Sequence, residues 1–288
     1  MTRRILLVVH PHRPEAQEAA SLAAAALEAD GVATCIDFEK GVDAPIEAAL
    51  VLGGDGTILH AADMTRGTGI PLLGVNLGHV GFLAELERDD VAHAARRLAA
   101  GDYDIEERGT LDVTVTAPDG RETSGWALND VTVERANLRT TIEVALDIDD
   151  RPLSTFGCDG VVVASATGST AHAFSAGGPV LWPDVDALLV VPLAAHALFS
   201  RPLVVSPSSE VRIEILDRST SDGQVVLDGA RALDLARGGR VEVRRGRQTV
   251  RLARMSDAPF SERLVQKFAL PVDGFRGERP VSDPGAGI

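Results

Sequence analysis

The chain has 288 residues, and its 42 acidic and 28 basic side chains give a formal net charge of −14 at pH 7. This charge argues against nucleic acids and anionic membranes as partners, because both bind cationic surfaces. An acidic chain can still bind phosphate groups where backbone N–H groups and a few arginines converge.

The first hundred residues alternate between predicted strands and predicted helices. Continuous apolar runs predict three short buried strands, at residues 5–9, 49–52 and 71–75. Helix-forming segments follow, at residues 15–30, 58–64 and 89–100. Such alternation favours a parallel sheet with flanking helices, and we predict an α/β domain over residues 1–104.

Beyond this region the pattern changes to polar–apolar alternation interrupted by turn signals. It predicts strands at residues 111–116, 141–148, 211–216, 224–227, 241–245 and 249–253. We therefore predict a β-rich domain over residues 105–258. A helix at 260–268 and a Gly/Pro-containing, at least partly flexible tail at 271–288 make up a C-terminal segment over 259–288.

Cysteine content and hydropathy indicate the compartment. Only Cys35 and Cys158 are present, which gives no disulfide framework and fits a reducing environment. No apolar run reaches the ~20 residues needed to cross a bilayer, and the first apolar run is too short for a signal peptide. We predict a soluble, cytoplasmic protein without a membrane partner.

A glycine-rich turn at residues 53–57 follows the second predicted strand. Its three glycines permit a sharp turn and close approach of a ligand, and the next helix offers unpaired N–H groups to a phosphate. Asp55 places a carboxylate there that can accept a proton from a hydroxyl or hold a metal. An ordinary strand-to-helix turn is the alternative, but Thr57 and the preceding strand favour phosphate binding. The turn is not a Walker A loop, because no Gly-Lys-Ser/Thr follows.

Three further segments carry candidate ligand contacts. The glycine-containing loop at 76–83 follows the third strand, where α/β sheets place ligand loops, although an ordinary loop is as good a reading. Asn129 and Asp130 can bind a sugar hydroxyl pair or simply form an Asx turn. Residues 157–179 combine a short apolar strand with a Thr/Ser/Gly-rich loop that suits a nucleotide, which we favour over a flexible linker.

In this order, the segments resemble those of the NAD kinase family, whose members use ATP or polyphosphate. The matching pieces are residues 53–57, 76–83, 129–130, 159–179, 192–205, 228–229 and 264–268. The glycine-rich turn alone is shared with other kinases, whereas its combination with residues 159–179 is specific to this family.

The resemblance implies phosphorylation of the 2′-hydroxyl of the adenosine ribose of NAD, giving NADP. It implies ATP or polyphosphate as phosphoryl donor, a divalent cation such as Mg²⁺ or Mn²⁺, and a homodimer or homotetramer. It also implies an N-terminal α/β domain, a C-terminal β domain, and a C-terminal segment that returns to the first. The sequence shows no dedicated cluster of ligands for the metal.

The resemblance also assigns site residues. Asp55 is expected to accept the proton of the attacking hydroxyl. The residues expected to bind the nucleotides are Gly54, Gly56, Thr57, His60, Asn129, Asp130, Arg139, Asp159, Thr170, Ala171, His172, Ala173, Phe174 and Ser175. The sequence departs from the family pattern in two places. In the loop, Tyr is usual where His172 stands and Thr-Pro-Thr where Ser165-Ala166-Thr167 stands, and further on Gln is common where Ala230 stands.

Two other functions compete with this interpretation. A lipid kinase of the diacylglycerol type shares the glycine-rich turn, but it lacks the counterpart of residues 159–179, and the acidic composition disfavours membrane substrates. A non-catalytic dinucleotide sensor would keep the NAD pocket, but it would have no need of Asp55 and Thr57.

Overall fold

The computed structural model describes residues 3–10, 13–36, 38, 45–78 and 81–272. The predicted tail lies outside the described residues except for its first two positions, and so do residues 79 and 80 of the loop at 76–83. No helix of the described part has both the length and the apolar character required to span a membrane.

The N-terminal part alternates strands and helices as predicted. Its elements are β1 (Arg4–Val9), α1 (Pro14–Ala29), β2 (Ala33–Cys35), β3 (Ile46–Leu52), α2 (Asp55–Met64), β4 (Leu72–Asn76), β5 (Leu86–Glu87), a 3₁₀ turn (Arg88–Asp90) and α3 (Val91–Ala100). Helix α2 begins three residues before the predicted start, so the second half of the glycine-rich turn is already helical.

The remaining elements are mostly strands. They are β6 (Asp104–Arg108), β7 (Leu111–Thr116), β8 (Glu122–Ala127), β9 (Asp130–Arg135), β10 (Ile142–Ile148), β11 (Arg151–Cys158), β12 (Gly160–Ala164), a 3₁₀ turn (Thr167–Thr170), α4 (His172–Ser175), β13 (Leu188–Leu193), β14 (Leu203–Val205), β15 (Val211–Ile215), β16 (Gly223–Leu227), β17 (Arg231–Leu235), β18 (Arg240–Arg245), β19 (Val250–Arg254) and α5 (Phe260–Phe268).

The first sheet has the order β2-β1-β3-β4-β19-β6, with β5 beside β4. Strands β1 to β5 pair in parallel, as does β19 with β4, whereas β6 pairs antiparallel with β19. The chain leaves β1 for β2 on one side and then crosses to β3 on the other. The crevice at the carboxyl ends of β1 and β3 is therefore a topological switch point, the usual ligand position of such sheets.

Helices cover both faces of this sheet, which explains the continuous apolar runs in its strands. Ile5 and Leu7 of β1 pack with α1 and α3, whereas Leu6 and Val8 pack with Ile58 of α2 on the opposite face. Because successive side chains of a strand point to opposite faces, both sets must be apolar. The prediction of an α/β domain with flanking helices is confirmed.

The second part is a sandwich of two six-stranded antiparallel sheets. Their orders are β11-β10-β15-β18-β7-β8 and β14-β13-β12-β9-β16-β17, and one apolar cluster fills the space between them. In β12, Val161 and Val163 face this cluster, whereas Val162 faces a smaller cluster beneath α4. The β-rich prediction is confirmed, and β12 is buried on both faces because α4 covers the outside of its sheet.

The chain returns to the N-terminal sheet at its end, as expected. Strand β19 inserts between β4 and β6, and α5 follows it, with the rings of Phe260 and Phe268 lying 5.8 and 5.9 Å from that of Phe82. The domain boundaries after residues 104 and 258 stay predictions. Strand β6 begins at the first predicted boundary, and β19 lies within the predicted middle segment. Both strands nevertheless belong to the first sheet.

Candidate active site

The glycine-rich turn connects β3 to α2 at the switch point. Gly54 is the residue before the helix, and a Cβ atom at Gly54 or Gly56 would meet nothing within 4 Å. A Cβ at Gly53, in contrast, would lie 2.3 Å from Oγ1 of Thr57. Gly53 is therefore required for the turn itself, whereas the other two glycines leave open space beside the helix N-terminus, where N–H groups attract anions.

The carboxylate of Asp55, the first residue of α2, is held by the loop after β4. Its Oδ2 accepts a hydrogen bond from the backbone N–H of Phe82, and its Oδ1 accepts one from Leu83, both at 3.0 Å. A Cβ on Gly81 would lie 2.3 Å from Oδ1. The structure thus joins two segments that the sequence singled out separately, and Gly81 permits their close approach.

A cavity of about 800 Å³ opens at the carboxyl ends of β1 and β3. Four of the predicted nucleotide-binding residues line it, namely Gly54, Gly56, Thr57 and His60. Arg13, at the start of α1, also lines the cavity and was missed by the sequence analysis. Its position in the connection from β1 to α1, at the same sheet edge as the glycine-rich turn, is the signal that identifies it.

A second group of predicted residues meets where β9 and α4 come together. The buried Asp130 carboxylate lies next to the backbone N–H of His172 and the Thr132 hydroxyl, and that hydroxyl lies 3.3 Å from Nδ1 of His172. Burial first, and the nearby Asp228 carboxylate second, raise the pKa of Asp130 to about 7. Within the described part of the chain, the buried Oδ1 of Asn129 has no hydrogen-bond partner. A buried unpaired acceptor is costly and indicates a place for a ligand or water.

Asp228 shapes the backbone of this second group. Its carboxylate accepts hydrogen bonds from the N–H groups of Leu128 at 2.9 Å, Asn129 at 2.7 Å and Asp130 at 3.4 Å. Burial raises its pKa, although these N–H groups and Arg231 act in the opposite direction. The sequence indicated Asp228 through the family resemblance alone, because its partners lie about a hundred residues away in the chain.

The remaining predicted residues differ in their surroundings. Asp159 pairs with Arg135, Thr170 bonds to the carbonyl of Thr167, and Arg139 is exposed in the turn after β9. Ala171 directly precedes the short helix α4, and Ser175 is the last residue of that helix. Ala173 is wholly buried in the apolar cluster beneath it, whereas Phe174 is 39% exposed and stacks on Phe268.

Comparisons with known proteins agree with this arrangement. The family model described as the ATP-NAD kinase N-terminal domain matches residues 10–103, and that of the ATP-NAD kinase C-terminal domain matches residues 128–255. The chain is 48% identical to the NAD kinase of Corynebacterium diphtheriae, over 96% of this chain and 94% of that protein. It is 50% identical to the NAD kinase of Thermobifida fusca, over 98% and 94%.

Two solved structures share the fold. Yeast NADH kinase complexed with NADH superposes with a TM-score of 0.83 at 22% identity, covering 98% of this chain and 90% of that one. The NAD kinase of Archaeoglobus fulgidus in complex with ATP gives a TM-score of 0.74 at 23% identity, covering 94% and 100%. The two family models match most of the chain, and the two bacterial NAD kinases are 48% and 50% identical to it. The chain therefore belongs to the NAD kinase family.

Proposed function

We propose that this enzyme transfers the γ-phosphoryl group of ATP to the 2′-hydroxyl of the adenosine ribose of NAD, producing NADP and ADP. The ribose oxygen forms a bond to the γ-phosphorus while the bond to the β,γ-bridging oxygen breaks. Asp55 takes the hydroxyl proton and later returns it to water. Membership of the NAD kinase family and the NAD kinase relatives support this reaction.

The observation that carries the proposal is the fixed position of the Asp55 carboxylate, whose residue stands between Gly54 and Gly56 of the cavity lining. Two backbone N–H groups orient its carboxylate, and each oxygen keeps a further lone pair for the substrate hydroxyl. Phosphoryl transfer needs positioning and charge stabilisation more than covalent chemistry from the protein. A carboxylate fixed at the N-terminus of α2, next to Gly54 and Gly56, meets that need.

The donor is proposed to occupy the cavity at the switch point. Thr57 and the N–H groups at the start of α2 would bind its phosphates, and Arg13 and His60 lie where they can contact the same group. The Archaeoglobus relative was solved with ATP, which supports ATP as donor; polyphosphate would use the same N–H groups.

The divalent cation is proposed to enter with ATP as its counterion. No cluster of three or more His, Cys, Asp or Glu side chains suited to a metal occurs among the described residues. Mg²⁺ or Mn²⁺ would be held mainly by substrate phosphates with one carboxylate, and Asp55 supplies a carboxylate within the phosphate-binding turn. The cation would neutralise charge that develops on the phosphates.

NAD is proposed to bind at the second group of residues. Asp130 and the unpaired Oδ1 of Asn129 can accept hydrogen bonds from ribose hydroxyls or from a carboxamide. The other proposed contacts come from Arg139, Asp159 and residues 170–175, of which His172 can stack on a base. The yeast relative was solved with NADH, which supports a dinucleotide at this fold.

We also propose a homodimer or homotetramer in the cytoplasm, where NAD and ATP are both available. Leu198, Phe199 and Val204 are exposed apolar side chains, and Val204 lies on β14, an edge strand of the sandwich. Exposed apolar edges favour association with another chain. Light scattering after gel filtration tests the oligomer, and a monomer at micromolar concentration would contradict it; cell fractionation tests the compartment.

The reaction is tested with purified protein, NAD, Mg²⁺ and either ATP or polyphosphate, with NADP measured by a coupled dehydrogenase. We expect NADP to form with at least one donor and in no reaction that lacks the protein. NAD binding without NADP formation would favour the dinucleotide sensor, and phosphorylation of diacylglycerol instead of NAD would favour the lipid kinase.

A further inference from the structure

The backbone segment whose N–H groups bind Asp55 is itself bound through its carbonyl groups. Whatever fixes the N–H groups of Phe82 and Leu83 also fixes the Asp55 carboxylate. The carbonyl oxygens of Phe82 and Ala84 both accept hydrogen bonds from Nη1 of Arg263 at 3.2 Å. The intervening carbonyl of Leu83 accepts one from Nη1 of Arg254 at 3.1 Å. Three consecutive carbonyls are therefore bound by guanidinium groups.

Glu85 holds both arginines in place. Its side chain is completely buried, and its Oε2 lies 2.6 Å from Nη2 of Arg263 and 3.0 Å from Nη1 of Arg254. Its Oε1 accepts hydrogen bonds from the Met255 N–H and from the N–H and hydroxyl of Ser256. Burial alone would raise the pKa of Glu85, but these cations and donors outweigh burial and hold it below its usual value.

Arg263 comes from helix α5, far in sequence from the residues it contacts. Helix α5 contains no fully buried residue, but the rings of Phe260 and Phe268, which flank Arg263 in the sequence, both pack against Phe82. The side chain of Arg263 is only 14% exposed, whereas Ser261, Glu262, Gln266 and Lys267 of the same helix are exposed. Helix α5 thus places one guanidinium directly behind the loop that orients Asp55.

We propose that Arg263 is a positioning residue for phosphoryl transfer: it fixes the backbone at residues 82–84 so that two N–H groups keep the Asp55 carboxylate on the attacking hydroxyl. This inference rests on the proposed function, because it assigns a role within that reaction. Arg263 does not itself touch substrate.

Arg263→Met is the informative variant. It removes the hydrogen bonds to both carbonyls and the ion pair with Glu85, and it keeps an unbranched side chain at this position of the helix. Glu85 keeps Arg254 and its three other donors, so the variant leaves no unpaired buried charge. A Glu85 variant, in contrast, would leave two buried arginines without their shared carboxylate and can unfold the protein.

Arg97→Met is the matched control. Arg97 binds the carbonyl of Met255 at 2.8 Å and the carboxylate of Asp102 at 2.7 Å. Arg97→Met therefore removes an arginine that, like Arg263, binds a backbone carbonyl, but it breaks no hydrogen bond to residues 82–85.

Two readouts on the full-length protein test the proposal. The first is kcat against KM for NAD and ATP; the second is hydrogen exchange of the Phe82 and Leu83 amides, followed residue by residue by NMR. For Arg263→Met we expect kcat to fall about 10- to 100-fold, KM to change less than about twofold, and exchange to quicken about tenfold. Arg263→Lys should lie in between, since one ammonium cannot replace a forked guanidinium. Arg97→Met should match the wild type in both readouts.

Unchanged exchange at the two amides in Arg263→Met would overturn the inference, as would faster exchange with undiminished kcat. A wild-type protein that forms no NADP would instead refute the proposed function, and the exchange readout would still decide whether Arg263 fixes the backbone around Asp55. If Arg263→Met does not fold, the same two readouts on Arg263→Lys decide the matter.

Discussion

The guanidinium of Arg231 lies 2.8 Å from the carboxylate of Asp63 and so joins the sandwich to helix α2. The same guanidinium lies 2.9 Å from Asp228, whose other hydrogen bonds fix the backbone before β9. The indole N–H of Trp126 donates to Asp63 at 3.1 Å, and Arg231 also lies over the Trp126 ring. The helix that begins with the proposed proton acceptor is therefore tied directly to the proposed NAD pocket.

This relationship predicts that Arg231→Met weakens both stability and NAD binding. Asp228 would lose its cation while its side chain stays 4% exposed, so we expect the free energy of unfolding to fall by about 1–3 kcal/mol. Because Asp228 fixes the backbone of Asn129 and Asp130, the KM for NAD should also rise. Urea unfolding and steady-state kinetics measure the two effects.

Arg237→Met is the control for Arg231→Met. Arg237 pairs with Asp222 on the surface, where both side chains are more than half exposed, so its loss should cost less than about 1 kcal/mol. Equal effects of the two substitutions on stability and KM would show that Arg231 does not link the two halves of the site.

The approach of Gly81 to Asp55 predicts that Gly81→Ala damages catalysis. The new Cβ would lie 2.3 Å from Oδ1, so the carboxylate must move from the two N–H groups that orient it. A displacement of this kind costs on the order of 100-fold in kcat. Gly78→Ala in the same loop is the control, because its Cβ would meet no atom closer than Nη1 of Arg13 at 4.0 Å. Equal kcat values for the two variants would contradict the packing described for Asp55.

The buried Asp130 predicts a stability that depends on pH. Its pKa rises from the usual 3.8 to about 7, through burial and then through Asp228, so the folded state holds the proton longer than the unfolded state. This contribution to stability is complete below about pH 4 and is lost as pH rises through about 7. The advantage of wild type over Asp130→Asn in free energy of unfolding should therefore shrink, or reverse, between pH 4 and pH 8. A difference that is constant over this range, measured by urea unfolding, would refute the prediction.

The sequence predicts this fold well where the local pattern decides the structure. The run at 49–52 is apolar because both faces of β3 are covered, and the glycines after it mark the turn that leads into α2. Period-two alternation likewise identifies β7, β10 and β15, since one face of each strand lies against the sandwich core. In these cases the types of a few consecutive residues show which positions of the strand are buried.

Contacts between distant segments are what the sequence does not predict. Nothing in the composition of residues 76–83 shows that two of their N–H groups bind Asp55, or that Arg263 binds the adjacent carbonyls. Strand β19 has the same alternation as its neighbours in the chain, yet it pairs with β4 and β6 rather than with the sandwich. Such contacts depend on which strands and which charged side chains the folded chain brings together.

The paired hydrogen bonds of Asp55 give a final prediction for Asp55→Asn. An asparagine has one acceptor oxygen, so its NH₂ group would face the N–H of either Phe82 or Leu83. The variant therefore loses the proton acceptor and also one of the two hydrogen bonds that orient the side chain. We expect kcat to fall about 100- to 10,000-fold, the range typical of a general base.

The NAD affinity of Asp55→Asn should stay near that of the wild type, because Asn129, Asp130 and the residues around α4 supply the proposed NAD contacts. Calorimetric titration with NAD measures this affinity. Asp63→Asn, near the other end of the same helix, is the matched control for kcat at saturating NAD. Asp63 does not bind the loop at Phe82, and an asparagine keeps the Oδ1 atom that accepts hydrogen bonds from Trp126 and Arg231. Near wild-type turnover in Asp55→Asn would mean that another group accepts the proton and that the pair of N–H groups serves only to fix the start of α2.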